Sequence, residues 1–126
     1  MGEEIKTYFF DSYAFFEIIH GNPSYEKYTR DIAIVTTKLN LMELHYGLLL
    51  SLGKEKADHY YDLYKKFCIE VTDDIIKLAN EFKKVMKTRN VSYIDSIGYV
   101  LAKSRNIKFL TGDKEFKDLD NVEFVK

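Results

Sequence analysis

Four carboxylates in this chain stand among residues that offer them little company. Asp11 falls between Tyr8-Phe9-Phe10 and Ser12-Tyr13-Ala14-Phe15-Phe16. Glu43 is, His45 aside, the only acidic or basic residue in "LNLMELHYGLLLSL" (39–52). Asp95 lies in "VSYIDSIGYVLAKS" (91–104) and Asp113 in "FLTGDKEF" (109–116). Each has a local reading. Asp11 is a good N-cap for a following helix. Asn40-x-x-Glu43 has the spacing of a capping pair, and Ser92-x-x-Asp95 that of a capping box with Asp in place of Glu. Thr-Gly-Asp is ordinary turn chemistry. The apolar setting of Glu43 stays unexplained by a cap. A buried lone carboxylate costs several kcal/mol, as an order of magnitude, unless a cation or hydrogen bonds offset it. No basic residue stands three or four positions from Glu43.

The elements that must position these acids alternate between short apolar runs and helical patterns. Strands are predicted over 7–10, 31–36, 67–71, 107–110 and 122–125. Helices are predicted over about 12–20, 39–52, 54–66, 72–88 and 92–104, with a Gly-Asn-Pro-Ser turn at 21–24 and a break at Gly53. Thr72 and Ser92 are hydroxyl caps, and Asp73 and Asp74 suit the first turn of the helix after Thr72. Such alternation predicts an α/β fold, a three-layer sandwich with a central parallel sheet of about five strands. In that architecture strands end and helices begin at one carboxyl edge, where open α/β sheets bind ligands. Asp11, Glu43, Asp95 and Asp113 all map there, as do Asp73 and Asp74. Like charges so close require a counter-charge. Hard oxygen ligands suit Mg2+ or Mn2+, which retain waters and also bind phosphates.

Bulk composition narrows the class. The chain has 126 residues, 46% of them apolar and 31% charged, enough for one domain spanning 1–126. A net charge of -1 does not indicate a globally basic nucleic-acid binder. Cys68 is the one cysteine, so no intrachain disulfide is expected, which fits a cytoplasmic location. "MGEEIKTYFF" has no basic region before a long apolar run, so no signal peptide is expected, and no stretch reaches membrane-span length. The helix over 39–52 is apolar nearly all round, which predicts deep burial or a subunit interface.

Taken in order, "YFFDSYAFFEI", "LNLMELHYGL" and "SYIDSIGYVLAKSRNIKFLTGDKEF" resemble the PIN domain, in particular the small VapC-type toxins. The last block is the most specific, an Asp near a helix start followed by a strand ending Thr-x-Asp-x-x-Phe. The resemblance implies a metal-dependent ribonuclease with Asp11, Glu43, Asp95 and Asp113 as its acidic quartet. It also implies Thr111 as a supporting hydroxyl, Asp118 as an extra acid that some members carry, a homodimer, and an antitoxin whose C-terminal segment fills the site. Asp11 and Asp95 would mainly hold the ions, and Glu43 would orient a water. RNA needs positive charge nearby. Lys83, Lys84, Lys87 and Arg89, just before the Asp95 helix, and Lys114 beside Asp113 are the candidates, although a solvated helix face has the same pattern.

Competing classes are weaker. His20, His45 and His59 are scattered and form no pair for metal-free cleavage. An aspartyl-phosphate phosphatase needs Asp-x-Asp, whereas Ser12 and Tyr13 follow Asp11, and no G-x-x-x-x-G-K-[ST] loop occurs. A PIN-domain nuclease in RNA processing stays open. So does a non-catalytic interaction module, which the apolar 39–52 helix and "DSYAFFEII" would suit.

Overall fold

Tyr8-Phe9-Phe10 carries no polar residue, and both faces of that strand are covered. The computed structural model describes residues 5–126; residues 1–4, the start of the stretch read above for a leader, lie outside the described residues. β1 (Lys6–Phe10) pairs in parallel with β2 (Ile32–Val35) on one side and β3 (Lys108–Thr111) on the other. β4 (Val122–Phe124) adds in parallel to β3, giving the order β2-β1-β3-β4. Five helices flank the sheet: α1 (Ser12–Ile19), α2 (Lys38–Leu52), α3 (Lys54–Tyr64), α4 (Asp73–Val85) and α5 (Tyr93–Ser104).

Strand pleating splits the apolar residues into two cores. Tyr8, Phe10 and Leu110 pack with Phe15, Leu41, Leu44 and Leu48, the layer of α1, α2 and α3. Phe9 and Phe109 pack with Tyr99, Leu101, Ala102 and Phe116, the layer of α5. The Phe9 and Phe109 rings stack at 5.7 Å. Gly98 makes the second layer tight. A Cβ there would stand 2.8 Å from Phe9 Cε1, so α5 lies close against the sheet with Asp95 one turn before that contact.

The sheet has four strands among the described residues, one fewer than expected. The run over 67–71 forms a single parallel bridge, Thr36 to Cys68, with Thr36 N–H donating to Phe67 O at 3.0 Å and Ile69 N–H to Thr36 O at 2.9 Å. β2 stops at Val35 because Thr36 and Thr37 turn to start α2, so a neighbouring segment finds one residue to pair with. Lys65–Phe67 forms a 3-10 turn, which ends α3 two residues earlier than predicted. The turn at 21–24 continues as a 3-10 helix over Pro23–Tyr28. α4 ends at Val85, where Lys83 Nζ donates to Val91 O at 2.6 Å and ties the following loop back.

α2 is half buried rather than buried all round. Leu41, Leu44 and Leu48 are core, while Met42, Tyr46, Leu49 and Leu50 are exposed. No helix among the described residues is long and apolar enough to cross a membrane.

Candidate active site

β1 and β3 are adjacent, yet the chain leaves them in opposite directions across the sheet. β1 leads through α1 to β2, and β3 leads to β4 on the other side. That divergence opens a crevice at the carboxyl edge, the usual ligand position of such sheets. Asp11 directly follows β1, and Asp113 stands two residues past the end of β3.

Asp11 does cap α1. Its Oδ1 accepts from Ala14 N–H at 2.8 Å, and the residue is 3% exposed. Burial pushes its carboxyl up to about 8; the Thr111 hydroxyl and the Ala14 N–H oppose the rise, and the charges of Asp95 and Asp113 add to it. Asp95 sits in the first turn of α5, where its N–H donates to Ser92 Oγ at 3.0 Å. Burial and then the charge of Glu43 push the Asp95 carboxyl up to about 6, with Ser92 opposing and Asp113 adding. Asp113 caps a short 3-10 turn over Lys114–Phe116, its Oδ1 accepting from Glu115 N–H at 2.9 Å. Its own N–H donates to Thr111 Oγ1 at 3.0 Å. Thr111 is fully buried, and its hydroxyl bonds both the Asp11 carboxyl and the Asp113 N–H. Gly112 is obligatory between them, because a Cβ there would overlap the Tyr13 ring and lie 2.6 Å from Val125 O.

Glu43 is not part of an Asn40 cap. The N-cap of α2 is Thr37, whose hydroxyl accepts from Asn40 N–H at 3.2 Å, because the helix starts one residue earlier than its apolar pattern. Glu43 Oε1 instead accepts from Ser12 Oγ at 2.8 Å. Ser12 therefore touches Glu43, with Thr37 and Asn40 behind it; the sequence reading pairs Asn40 with Glu43 only as a cap and does not link Ser12 or Thr37 to Glu43. The available signal was a hydroxyl directly after Asp11 and the spacing Thr37-x-x-Asn40.

The charges of Asp95 and Asp113 act on Asp11, those of Glu43 and Asp113 act on Asp95, and none of the four has an ion-pair partner among the described residues. Asp113 and Glu43 each have one oxygen tethered by a hydrogen bond, and buried Asp11 accepts from both the Ala14 N–H and the Thr111 hydroxyl. No three His, Cys, Asp or Glu side chains among the described residues are grouped tightly enough to cage a metal by themselves. The donor set still fits Mg2+ or Mn2+, which take one or two carboxylates and complete their shells with water and phosphate oxygens. A shallow cavity of about 410 Å3 opens beside Glu43, bounded by Ser12, Tyr13, Phe16, Glu17 and Leu44. A larger one of about 620 Å3, between α2 and α3, contains none of the four acids. An open crevice suits a polymer substrate better than an enclosed cavity does.

Other predicted residues divide. Asp118 is exposed and pairs with Arg89 through both oxygens, at 2.7 and 2.9 Å. Arg89 also donates to Glu115 O at 2.8 Å, so it ties the loop before α5 to the turn carrying Asp113. Lys83 is committed to Val91 O and lies 4.9 Å from the Tyr93 ring centroid. Lys84, Lys87 and Lys114 are exposed. Asp73 and Asp74 are exposed first-turn acids of α4. His45 bonds Asp58 at 2.7 Å, and His20 stacks on Phe16.

A sequence profile of the PIN domain matches residues 8–122. Sequence comparison with curated proteins returns no significant match. Among solved structures, the chain is similar to VapC20 of Mycobacterium tuberculosis, a toxin that cleaves the sarcin-ricin loop. The TM-score is 0.77 at 17% identity, with 94% of this chain and 99% of that one covered. It is also similar to a chain of VapBC2 from Rickettsia felis bound to promoter DNA, at TM-score 0.72 and 19% identity, covering 95% and 99%. A toxin-antitoxin complex from Klebsiella pneumoniae gives TM-score 0.72 at 15% identity, covering 91% and 94%.

Proposed function

Because the chain belongs to the PIN domain family, we propose that it is a Mg2+- or Mn2+-dependent endoribonuclease and the toxin of a toxin-antitoxin pair. One observation carries this reading: carboxylates from four separate segments act on one another at the carboxyl edge of the sheet, with no ion-pair partner among the described residues. Asp11 and Asp95 would hold one or two ions, with Glu43 and Asp113 as further ligands or through water. Bound there, a divalent ion lowers the pKa of water and neutralises charge on the phosphate. Glu43 orients the attacking water and accepts its proton. Thr111 holds Asp11 and Asp113 in fixed relation from below. Hydrolysis leaves a 5′-phosphate and a 3′-hydroxyl.

Lys84, Lys87 and Lys114 would contact the RNA backbone, an interaction that weakens with salt. Lys83 and Arg89 act indirectly, by holding the loop before α5. The exposed apolar face of α2 supports polypeptide partners, namely a second copy of the chain and an antitoxin. Toxin-antitoxin assemblies among the similar structures support the second. The reading also gives it a cytoplasmic location.

The test incubates purified protein with a panel of RNAs and Mg2+ or Mn2+, beside Asp11→Asn, and determines product ends. Metal-dependent cleavage lost in the variant supports the reading. Equal cleavage by both proteins, or 2′,3′-cyclic phosphate ends, overturns it. Light scattering of the pure chain checks the homodimer.

A further inference from the structure

Glu43 is reached by a chain of hydrogen bonds that begins at the buried start of α2. Thr37 Oγ1 donates to Asn40 Oδ1 at 2.7 Å. Asn40 Nδ2 lies 3.5 Å from Ser12 Oγ, the longest link. Ser12 Oγ reaches Glu43 Oε1 at 2.8 Å and Asn40 O at 2.9 Å. Thr37 and Asn40 are each 1% exposed, so water does not compete for their polar atoms.

Direction follows from proton counting. Thr37 Oγ1 already accepts from Asn40 N–H, and its one proton needs an acceptor, which is Asn40 Oδ1. That orientation turns the Asn40 amino group towards Ser12. The serine oxygen then faces a donor, and its own proton goes to an acceptor. Of the two acceptors in reach, the carboxylate of Glu43 forms the stronger, charge-assisted bond. Every donor in the series thus points towards Glu43. If the Asn40 amide were reversed, Oδ1 would draw the Ser12 proton away and the Thr37 proton would lose its acceptor.

We propose that Ser12 is a positioning residue for Glu43, and that Thr37 and Asn40 orient the Ser12 hydroxyl so that Oε1 is held and Oε2 is left for the ion or its waters. The device joins α1 to α2, which pack in one layer, and it ties the residue next to Asp11 to Glu43. It rests on the metal-site reading above and adds to it the residues that aim one ligand.

Mn2+ binding to the full chain by calorimetry, with no RNA present, tests the device directly. Ser12→Ala and Asn40→Asp each weaken Mn2+ binding by about tenfold, the usual scale for removing a group that orients a metal ligand. Ser12→Thr keeps the hydroxyl and restores binding. In a Glu43→Gln background, Ser12→Ala has no further effect. On RNA, Ser12→Ala lowers kcat and leaves KM unchanged. An equal Ser12→Ala effect with and without the Glu43 carboxylate, or a Ser12→Thr variant as weak as Ser12→Ala at wild-type Tm, overturns the proposal. If the wild type takes up no Mn2+, both the metal reading and this device fail. If it binds Mn2+ but leaves RNA uncut, only the nuclease reading fails, and the titration still decides the device.

Discussion

Away from the crevice, Asp58, Asp118 and Asp120 each stand beside a cation: Lys54 at 2.5 Å, Arg89 at 2.7 Å and Lys103 at 3.3 Å. Their carboxyls are held below the usual range, Asp58 by His45 and then Lys54, Asp118 by Arg89, and Asp120 by Tyr99 and then Lys103. Inside the crevice the shift reverses. Asp11 and Asp95 are raised, by burial first and then by neighbouring acids. The same side chain thus stabilises a surface pair in one place and, in the other, is held away from water beside further acids. A buried carboxyl beside other acids is the setting in which a divalent cation favours the charged form.

The strongest way to break this contrast is Asp11→Asn, which removes a charge at nearly constant shape. RNA cleavage should fall by about two to four orders of magnitude, measured under single-turnover conditions. A wild-type rate would show that Asp11 is only a cap.

The same variant should differ in stability in the opposite sense. The folded Asp11 pKa of about 8 exceeds the ordinary 3.8. Between those values the metal-free folded state binds a proton that the unfolded state has lost, so stability falls as pH rises through that window. At pH 4, near the unfolded pKa, the wild type and Asp11→Asn should be close in stability. By pH 8 Asp11→Asn should be the more stable, by a few kcal/mol as an order of magnitude. Denaturant titrations at both pH values check this, and parallel pH profiles of the two proteins would refute it.

Metal should reverse that loss. At pH 8, Mn2+ at a hundred times its Kd should stabilise the wild type by about 2.7 kcal/mol, read as a rise in Tm. At pH 5 the rise should largely vanish, because protons occupy Asp11 and half-neutralise or more the Asp95 carboxyl. A smaller effect separates the basic residues. Removing Lys84, Lys87 or Lys114 should weaken RNA binding and lower the salt slope by about 0.7 per lost contact. The smallest effect belongs to the surface pair: Asp118→Ala should lower Tm slightly and leave Mn2+ affinity unchanged. A large loss of Mn2+ affinity there would place Asp118 in the site rather than behind Arg89.

Much of this was legible in the chain alone, because the signals are local. Tyr8-Phe9-Phe10 reads as a strand buried on both faces, and Thr72 and Ser92 mark helix starts by their hydroxyls. Asp11, Asp95 and Asp113 show their capping geometry in their immediate neighbours. Legibility failed where the decisive partner was far away in sequence. Phe67 to Val71 has strand composition, but Thr36 offers it only one pairing residue. The α2 pattern is apolar on every side, so periodicity could not say that Tyr46 and Leu50 face outward. Glu43 was visible as an anomaly, but its partner Ser12 lies 31 residues away.

What the sequence determined by itself is therefore the alternation of elements and the residue types at their ends, since caps, pleats and turns depend on neighbours within about four positions. Tertiary structure decided which of those ends meet. Parallel pairing of β1 with β3 brings Asp11 and Asp113 to one crevice, close packing at Gly98 seats α5 against the sheet, and burial raises the carboxyls of a helix cap, Asp11, and a first-turn acid, Asp95. Charge coupling acts through space in a medium of low polarity, so only the folded chain could set it.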